Sequence, residues 1–524
     1  MAHAAALIGY LDQDNLGIGY LASVLLRDGF RPIILDYRLG PERILENIAS
    51  NRPLVVGFSL IFQYYTSSFR EMMRHLRENG IECHFTAGGH YPSLRFRDVL
   101  DAVPELDSVV RFEGEYTYLE LVRALAQRTD WTGIRGLAYR GGGGVVENPL
   151  RPLEPDLDKF PIPVRGPVRP ESLGRKEATI VAGRGCLYNC SFCSIRQFYS
   201  APPGPLKRIR RPEMVVEEMA LLHEELGCTI FLFQDDDFPG TARDGQAWAE
   251  RFCELLHARG LAGKLLWKIS CRADEVGRER MALMRDAGLF LVYLGIESGN
   301  DAGLTLMNKH LNSEVNAAAV RELERLGLVC EFGFMLFDPL STCRTVRDNL
   351  DFLDRICGDG YTPVTGCKMI PYGGTAIEEA LRESHRLKAF QEHEDYDFLD
   401  PAVDALYGWF AGTFVNWMQA PRGLLNLSRT MQFDLGIHER CPALANADGA
   451  MRRSAREWIS VANRFFTSAI REALSVCEAA GPWRAQELAA LTRRVQEFES
   501  DLAPRLFRLI QECDGQRGES VELK

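Results

Sequence analysis

The chain has 524 residues, of which 46% are hydrophobic and 25% charged, with a net charge of −11 and a pI near 5.6. This length exceeds a single core and predicts two or three packed domains, and the composition is that of a globular protein rather than a disordered one. The acidic balance argues against nucleic acid as a partner, and no apolar run is long enough to span a bilayer.

Short apolar runs alternate with amphipathic stretches at the start of the chain. The predicted strands cover residues 5–10, 32–35, 54–60 and 83–87, and the helices between them cover residues 17–27, 42–48 and 69–78. This rhythm predicts a parallel sheet covered by helices, followed by a strand pair around the glycines at 141–144. Ligands bind outside the carboxyl ends of the strands in such sheets, so the loops at residues 12–17, 59–66 and 88–93 form the predicted binding edge.

A proline-rich stretch, residues 149–170, precedes a second alternating series. Its predicted strands cover residues 178–182, 229–233, 265–270, 290–294, 329–336 and 365–370. Six strand-helix units predict a partial parallel barrel, whose chemistry belongs at the carboxyl ends of the strands. Helical spacing of apolar residues predicts a helical tail. The predicted ranges are 1–150 for the front domain, 151–174 for a linker, 175–390 for the barrel and 391–524 for the helical domain.

Three of the fourteen cysteines form a cluster directly after the first predicted barrel strand. Cys186, Cys190 and Cys193 have the spacing C-x3-C-x2-C. Three thiolates leave one iron of a four-iron cube without a protein ligand, and that position can chelate an amino group and a carboxylate. Zinc is the alternative, but it takes a fourth ligand in a closed site, and residues 194–205 contain no Cys or His. The many thiols and the lack of an export signal make a reducing cytoplasm the expected compartment.

With the aromatic Phe192 directly before its last cysteine, this motif resembles the signature of the radical S-adenosylmethionine (SAM) superfamily. The resemblance implies that the three cysteines hold a 4Fe-4S cluster, which cleaves SAM to methionine and a 5'-deoxyadenosyl radical that abstracts a hydrogen atom. The hard chemistry belongs to the cofactors, while the protein positions and shields them. An external one-electron donor such as a flavodoxin or ferredoxin is also implied.

Polar residues at the ends of three barrel strands resemble the SAM-binding positions of this superfamily. The second strand ends on an acidic variant of the frequent Gly-Gly-Glu motif, which relatives with a cobalamin domain often carry. Its polar residues are implied to lie near the methionine group, the arginine after the third strand to pair with the methionine carboxylate, and the end of the fourth strand to contact the ribose. Taken singly, each residue could equally be a cap or a loop salt bridge. The implied SAM contacts are Phe192, Gln234, Asp235, Asp236, Arg272, Glu297 and Ser298.

The front region resembles the cobalamin-binding domain, a Rossmann-like doubly wound fold, that precedes many radical SAM enzymes. The resemblance rests on LGIGYLASVL at residues 16–25, GGHYPS at 88–93 and VVRFEGEYTYLEL at 109–121. The D-x-H-x-x-G pattern is missing around Asn15, so no histidine ligand to cobalt is expected from that loop. The alternatives are an ordinary doubly wound domain or one that has lost its cofactor. The implied cobalamin contacts are Leu16, Gly17, Ser59, Leu60, Gly88, Gly89, Glu113, Gly114 and Glu115.

The leading functional hypothesis is a cobalamin-dependent radical SAM methyltransferase. It would act on an unactivated carbon of a small, natural-product-type molecule and deliver the methyl group of methylcobalamin. The second hypothesis keeps both cofactors but forms or contracts a ring or performs another rearrangement. The third is a non-catalytic iron–sulfur or corrinoid module that senses redox state. Methylthio transfer to RNA is disfavoured, because those relatives carry extra cysteines in the front domain and this chain has Cys83 alone before the cluster.

Four residues farther along the chain have two interpretations each. Cys367, at the last barrel strand, is a candidate acid or radical partner, with a buried thiol as the alternative. Trp409, Phe410 and Trp417 could stack on a substrate, although core packing explains such aromatic residues more simply.

Overall fold

The structure is a computed structural model that describes residues 3–11, 14–166, 175–390, 393–440, 449–479 and 481–515. The chain packs as two compact units. The first comprises Met1–Val168, Ala178–Met214 and Ile370–Asp395, and the second comprises Arg169–Glu177, Val215–Met369 and Tyr396–Lys524. The predicted domain ranges divide the chain by sequence rather than by packing, and they stay a prediction. Within the described ranges, no helix combines the length and the hydropathy that crossing a membrane requires.

A seven-stranded sheet of order β2-β1-β3-β4-β5-β6-β7 forms the centre of the first unit. Its strands are β1 Ala4–Gly9, β2 Arg31–Asp36, β3 Val55–Ser59, β4 His84–Gly88, β5 Ser108–Val110, β6 Leu137–Gly141 and β7 Gly144–Glu147. Pairing is parallel from β2 to β5 and antiparallel from β5 to β7. The order 2-1-3-4-5 belongs to doubly wound folds and places the switch point between β1 and β3.

Helices cover both faces of this sheet. They are α1 Leu16–Arg27, α2 Pro41–Asn51, α3 Thr66–Glu78, α4 His90–Leu94, α5 Phe96–Ala102 and α6 Glu115–Gln127. All six residues of β1 are buried, as expected for a parallel strand that is covered on both sides. One core cluster contains Phe58, Phe69 and Phe85, and a second contains Leu7 and Tyr118.

The chain continues through β8 Lys176–Ile180, β9 Gly183–Arg184, helix α7 Ser194–Ser200 and β10 Arg208–Ile209. Strands β9 and β10 pair antiparallel. They bracket the residues that carry the three clustered cysteines. The linker residues 167–174 lie outside the described residues.

The second sheet has six strands in the order β15-β14-β13-β12-β11-β8. The remaining strands of this sheet are β11 Cys228–Phe233, β12 Leu266–Arg272, β13 Leu289–Glu297, β14 Val329–Phe337 and β15 Cys367–Lys368. The helices between them are α8 Pro212–Leu226, α9 Gln246–Ala258, α10 Arg278–Asp286, α11 Asp301–Leu306, α12 Ser313–Arg325 and α13 Cys343–Cys357. Neighbouring strands from β11 to β15 are parallel and follow chain order, which is the arrangement of a half-barrel.

After the half-barrel come α14 Ala376–Glu383 and a short hairpin, β16 Leu387–Phe390 and β17 His393–Tyr396, which the apolar spacing does not predict. The helical tail comprises α15 Pro401–Thr413, α16 Val415–Gln419, α17 Leu424–His438, α18 Gly449–Ala479 and α19 Arg484–Gly515. Trp409, Phe410 and Trp417 are buried in it, as core packing requires. The predicted fold class, an α/β chain with a doubly wound front domain, a six-stranded partial barrel and a helical C-terminal domain, is confirmed.

Candidate functional site

Hydrogen bonds of one side chain connect two loops at the carboxyl edge of the first sheet, at its switch point. The side chain of Asn15 caps α1 by accepting a hydrogen bond from the Ile18 amide (3.1 Å). Its Nδ2 donates to the Tyr10 carbonyl (3.2 Å) and lies 3.5 Å from the Ser59 hydroxyl. The loop after β1 is thereby held next to the end of β3, where doubly wound sheets bind ligands. Asp12 and Gln13 of the same loop lie outside the described residues.

The predicted cobalamin contacts on this edge differ in what they present. Leu16 and Leu60 are buried, so their side chains belong to the core and their backbone alone can reach a ligand. Gly17 is exposed. Gly89 has φ +111°, and a Cβ there would lie 2.4 Å from the Leu60 carbonyl oxygen. Glycine is therefore required at position 89 because the backbone passes close to the loop after β3, and not because a ligand approaches it.

An apolar surface follows β3 directly. Ile61 and Phe62 are 41% and 36% exposed, and the Phe62 ring stacks on Tyr64 at 5.3 Å with an angle of 8° between the planes. Large apolar side chains exposed together beside a binding edge indicate a surface that a ligand covers. A flat macrocycle such as a corrin fits this chemistry.

Gln63 fastens this loop to the segment that follows the half-barrel. Its Nε2 donates to the Pro371 carbonyl (3.3 Å), and its Oε1 accepts from the Gly373 amide (2.8 Å). The side chain is buried, so both of its polar ends are satisfied inside the protein. Farther along the same segment, Glu378 pairs with Arg95 of the front region, and the Ile377 amide donates to the carbonyl of Ser191 in the cysteine loop (3.0 Å).

The cysteine loop leaves β9 through a glycine that no other residue can replace. Gly185 has φ +87°, and a Cβ there would lie 1.8 Å from the Leu206 carbonyl oxygen. Cys186, Cys190 and Cys193 are each half-buried, which suits ligands that must face a cluster from within the protein. The Cys193 amide donates to the Cys190 carbonyl (3.2 Å), so the loop turns between these two cysteines before α7 begins. The predicted aromatic contact, Phe192, is half-buried in the same turn.

A buried ion-pair cluster holds the β9–β10 hairpin next to the front region. Glu113 forms a bidentate ion pair with Arg208 (2.7 and 2.8 Å) and also accepts a hydrogen bond from Arg184 (3.0 Å). Glu115 forms a second ion pair with Arg184 (2.8 Å). Burial raises the pKa of Glu113, but the two guanidinium groups outweigh it and hold that pKa below its usual range. These partners are the functional residues that the sequence analysis missed. The predicted cobalamin contacts of Glu113, Gly114 and Glu115 stay a prediction.

In the second unit, the residues after β11 alternate in exposure. Gln234 and Asp236 are exposed, whereas Asp235 is buried. Alternation with a period of two is the geometry of extended backbone, so these side chains point to opposite sides. The exposed pair lies at the carboxyl end of the strand, and its predicted contact with SAM stays a prediction.

The ends of β12 and β13 form a connected charged group. The Arg272 guanidinium pairs with Asp274 (2.9 Å) and donates to the Lys309 carbonyl (2.6 Å), while the Lys309 ammonium lies 3.6 Å from the Glu297 carboxylate. Glu297 has φ +66°, a left-handed conformation that is strained for a side chain of this kind. Burial raises the pKa of Glu297, and the Lys309 charge lowers it by less. Strain and a perturbed carboxylate at one strand end are typical of a functional site.

Ser298 lies in a satisfied buried network rather than on an open surface. Its hydroxyl donates to Asn349 Oδ1 (3.2 Å) and accepts from Asn300 Nδ2 (3.2 Å), and its side chain is fully buried. Asn349 Oδ1 also accepts from the Gly299 amide (2.8 Å). This network fixes the turn after Glu297 and gives Ser298 a positioning role, while its predicted ribose contact stays a prediction.

Cys367 begins β15, the edge strand of the six-stranded sheet. Solvent reaches the residue, yet the surrounding protein raises the pKa of its thiol to about 12, chiefly by burial and secondarily through Glu297. The thiol donates to the Phe334 carbonyl (3.4 Å). The residue is exposed although protein surrounds its thiol, and both interpretations of Cys367 stay predictions.

The comparisons with known proteins agree with this geometry. The model of the B12 binding domain matches residues 6–122, and that of the radical SAM superfamily matches residues 180–346. An uncharacterised methyltransferase of Pyrococcus horikoshii is 28% identical over 74% of this chain and 82% of its own length. The anaerobic magnesium-protoporphyrin IX monomethyl ester cyclase of Rubrivivax gelatinosus is 30% identical over 63% of this chain and 60% of its own length.

Solved structures share the fold. The cobalamin-dependent SAM radical enzyme OxsB, with aqua-cobalamin bound, has a TM-score of 0.68 at 17% identity and covers 98% of this chain and 79% of its own. The radical SAM methyltransferase TsrM from Kitasatospora setae, with cobalamin and a 4Fe-4S cluster bound, has a TM-score of 0.60 at 19% identity and covers 73% of this chain and 75% of its own.

Two domains therefore define the class: a B12-binding domain and a radical SAM domain in one chain. The chain thus carries a radical SAM domain with a cobalamin-binding domain in front of it. Its cofactors are a 4Fe-4S cluster, SAM and cobalamin. The residues present fit these groups, because three half-buried thiols share one loop and an exposed apolar surface borders the front edge.

Proposed function

We propose that this enzyme is a cobalamin-dependent radical SAM methyltransferase that acts on an unactivated carbon of a small molecule. The observation that carries the proposal is the presence of both domains, joined to similarity with methyltransferases. A cytidylyl-2-hydroxyethylphosphonate methyltransferase of Streptomyces wedmorensis is also similar, at 25% identity over 64% of this chain and 71% of its own length. The reductant is an external one-electron donor of the flavodoxin or ferredoxin type.

The three cofactors supply the reactive chemistry: when bound, the cluster and SAM provide a carbon radical, and cobalamin provides the methyl group. The residues of the chain hold and shield them. Cys186, Cys190 and Cys193 hold the cluster, and the apolar surface at Ile61 and Phe62 receives the corrin and excludes water from it. The Cys367 sulfur keeps its proton at neutral pH, because its pKa is raised to about 12.

The SAM contacts are assigned by the same proposal to the strand ends of the half-barrel. Arg272 presents a guanidinium to a carboxylate, and the Glu297 carboxylate accepts from ribose hydroxyls. The Lys309 ammonium and the network around Ser298 keep Glu297 in its strained conformation. A preorganised acceptor of this kind binds without having to reorganise.

Ring formation is the second candidate function. The similarity to the magnesium-protoporphyrin IX monomethyl ester cyclase favours it, since this relative has the higher percentage identity over a shorter alignment. A cyclase would consume SAM without transferring its methyl group to the product.

The test is anaerobic reconstitution with iron, sulfide and hydroxocobalamin, followed by metal analysis and turnover with SAM labelled in its methyl group. We expect about four iron atoms and one cobalt atom per chain. A methyltransferase forms S-adenosylhomocysteine and 5'-deoxyadenosine in equal amounts and puts the label into the product. Formation of 5'-deoxyadenosine with an unlabelled product would overturn methyl transfer in favour of the cyclase. Iron without cobalt would overturn both candidates.

A further inference from the structure

Helix α17 lies across the amino end of the half-barrel. Gly436 of this helix packs so closely on the sheet that a Cβ there would lie 2.6 Å from Val329 Cγ2 and 3.2 Å from Phe290 Cδ2. Phe433 meets Phe290 edge to face, with ring centroids 5.0 Å apart. Val329 begins β14, and Phe290 is the second residue of β13. The helix therefore covers the end of the barrel that is opposite to the predicted SAM contacts.

One turn earlier, the same helix face carries a positive charge. Arg429 precedes Phe433 by four residues, and residues four apart lie on one face of a helix. The guanidinium lies close enough to Tyr293 of β13 that its charge opposes the rise in the pKa of that phenol caused by burial. Arg429 is half-buried. Its charge therefore acts on Tyr293, a side chain on the inner face of the sheet.

A second cation reaches the same tyrosine from the sheet. The Lys268 ammonium lies 5.6 Å from the centroid of the Tyr293 ring. Lys268 and Ser270 alternate on β12, and Ser270 is directly opposite Tyr293, so all three share one face of the sheet. Within the described part of the chain, neither Lys268 nor Arg429 has a carboxylate at ion-pair distance. One half-buried cation thus lies over the Tyr293 ring, and the charge of a second one acts on the same phenol.

The negative charges nearby do not neutralise this pair. Glu297, which also acts on Tyr293, is bound to Lys309, and Glu331 is opposite Tyr293 on β14. We call Lys268, Tyr293, Glu331 and Arg429 the barrel floor. Two cations against one carboxylate leave one positive charge in a partly desolvated site, which is unfavourable until an anion pairs with it.

We propose that the barrel floor binds a carboxylate or phosphate group of the substrate through Arg429 and Lys268. The inference rests on the proposed function, because it takes the inside of the half-barrel as the substrate site. A guanidinium pairs with either anion in a bidentate geometry. Glu331 then accepts a hydrogen bond from a hydroxyl or ammonium group of the same molecule. The anionic end lies at the amino ends of the strands, and the reacting carbon lies toward their carboxyl ends.

The test is calorimetric titration of the reconstituted holoenzyme with inorganic phosphate and with acetate, and with glycerol as a neutral probe. We expect saturable binding of at least one anion, no binding of glycerol, and a loss of about tenfold or more in affinity in Arg429→Gln and in Lys268→Gln. Phosphate and acetate distinguish the two substrate classes. Arg422→Gln is the matched control, since Arg422 is an exposed arginine just before α17.

Two results would overturn the proposal: no saturable binding of either anion by the wild-type holoenzyme, or equal affinity in the wild type and both floor variants. Iron and cobalt contents measured on each variant show that it folds and binds its cofactors, and Arg429→Lys restores part of the affinity if charge is what binds. Methyl transfer by the wild type is measured separately. A holoenzyme that binds anions at the floor but transfers no methyl group refutes the proposed function and leaves the anion site standing.

Discussion

Charged side chains are paired with opposite charges next to the cysteine loop, but the cations of the barrel floor are not. Behind the loop, Glu113 and Glu115 satisfy the guanidinium of Arg184 at 2.8 to 3.0 Å, in the protein interior. At the floor, Lys268 lies over the Tyr293 ring and the charge of Arg429 acts on the same phenol, and among the described residues no carboxylate pairs with either cation. A satisfied buried network fixes a loop in one geometry, whereas an unsatisfied one keeps its binding capacity for a ligand. The difference separates residues that position cofactors from residues that bind substrate.

The largest effect is expected from removing a thiol of the loop. Cys190→Ala leaves two ligands for the cluster, so we expect the iron content to fall close to zero and SAM cleavage to be lost. Cobalt binding persists, because the apolar surface at Ile61 and Phe62 is unchanged. The control is Cys83→Ala, which removes a half-buried thiol outside the motif. Full iron content in Cys190→Ala would show that this cysteine is not a ligand.

The next largest effect tests the satisfied network. Glu113→Gln leaves Arg184 and Arg208 with one buried carboxylate fewer, and breaking a buried pair from one side lowers the free energy of unfolding by about 3–5 kcal/mol. Denaturant unfolding measures this change, and the rate of iron loss to a chelator reports whether the cysteine loop loosens. Glu120→Gln is the control, since Glu120 pairs with Arg151 near the surface. Equal losses in the two variants would show that the cluster has no special role in holding the loop.

A pH effect follows from the contact between the front edge and α7. His90 stacks on Phe198 of α7 with ring centroids 4.2 Å apart, and burial lowers its pKa from 6.5 to about 4. Because the folded pKa is the lower one, the stabilisation is complete above pH 6.5 and is lost as the pH falls toward 4. It amounts to at most about 3 kcal/mol. We expect His90→Phe, which keeps the stack, to flatten this part of the profile of unfolding free energy against pH.

Motifs with short spacing could be found from the sequence, and pairings across long separations could not. Cys186, Cys190 and Cys193 span eight residues. The rhythm of apolar runs locates most strands of both sheets, because burial imposes a period on neighbouring residues, but it misses the three-residue strand β5. Glu113 and Arg208 are 95 residues apart, and no local pattern links an acidic residue in one region to a basic residue in another. The β16–β17 hairpin was missed because each strand has only four residues and β17 is largely polar.

The direction of the Arg429 side chain also could not be predicted from the sequence. In the sequence it is one polar residue in a helix that is otherwise rich in buried positions, and a surface position is the ordinary expectation. Its inward direction follows from the packing of Gly436 and Phe433 on the sheet, which is a tertiary fact. A small residue such as Gly436 inside a helix was the available sign of a close approach.

The smallest effect is expected from substituting Glu297 at the end of β13. This residue combines a strained backbone with an ion pair to Lys309 at 3.6 Å. Glu297→Gln removes the charge and keeps the shape, so we expect SAM to bind about tenfold more weakly, the loss of one charge-assisted hydrogen bond. Equilibrium binding of SAM to the reconstituted enzyme measures it, with Glu279→Gln on the exposed face of α10 as the control. Unchanged affinity for SAM would mean that the strained conformation of Glu297 positions Lys309 and the turn that follows β13, and that Glu297 does not bind the nucleoside. The paired end of the half-barrel would then position the backbone, and the unpaired floor would remain the end where ligand charge is recognised.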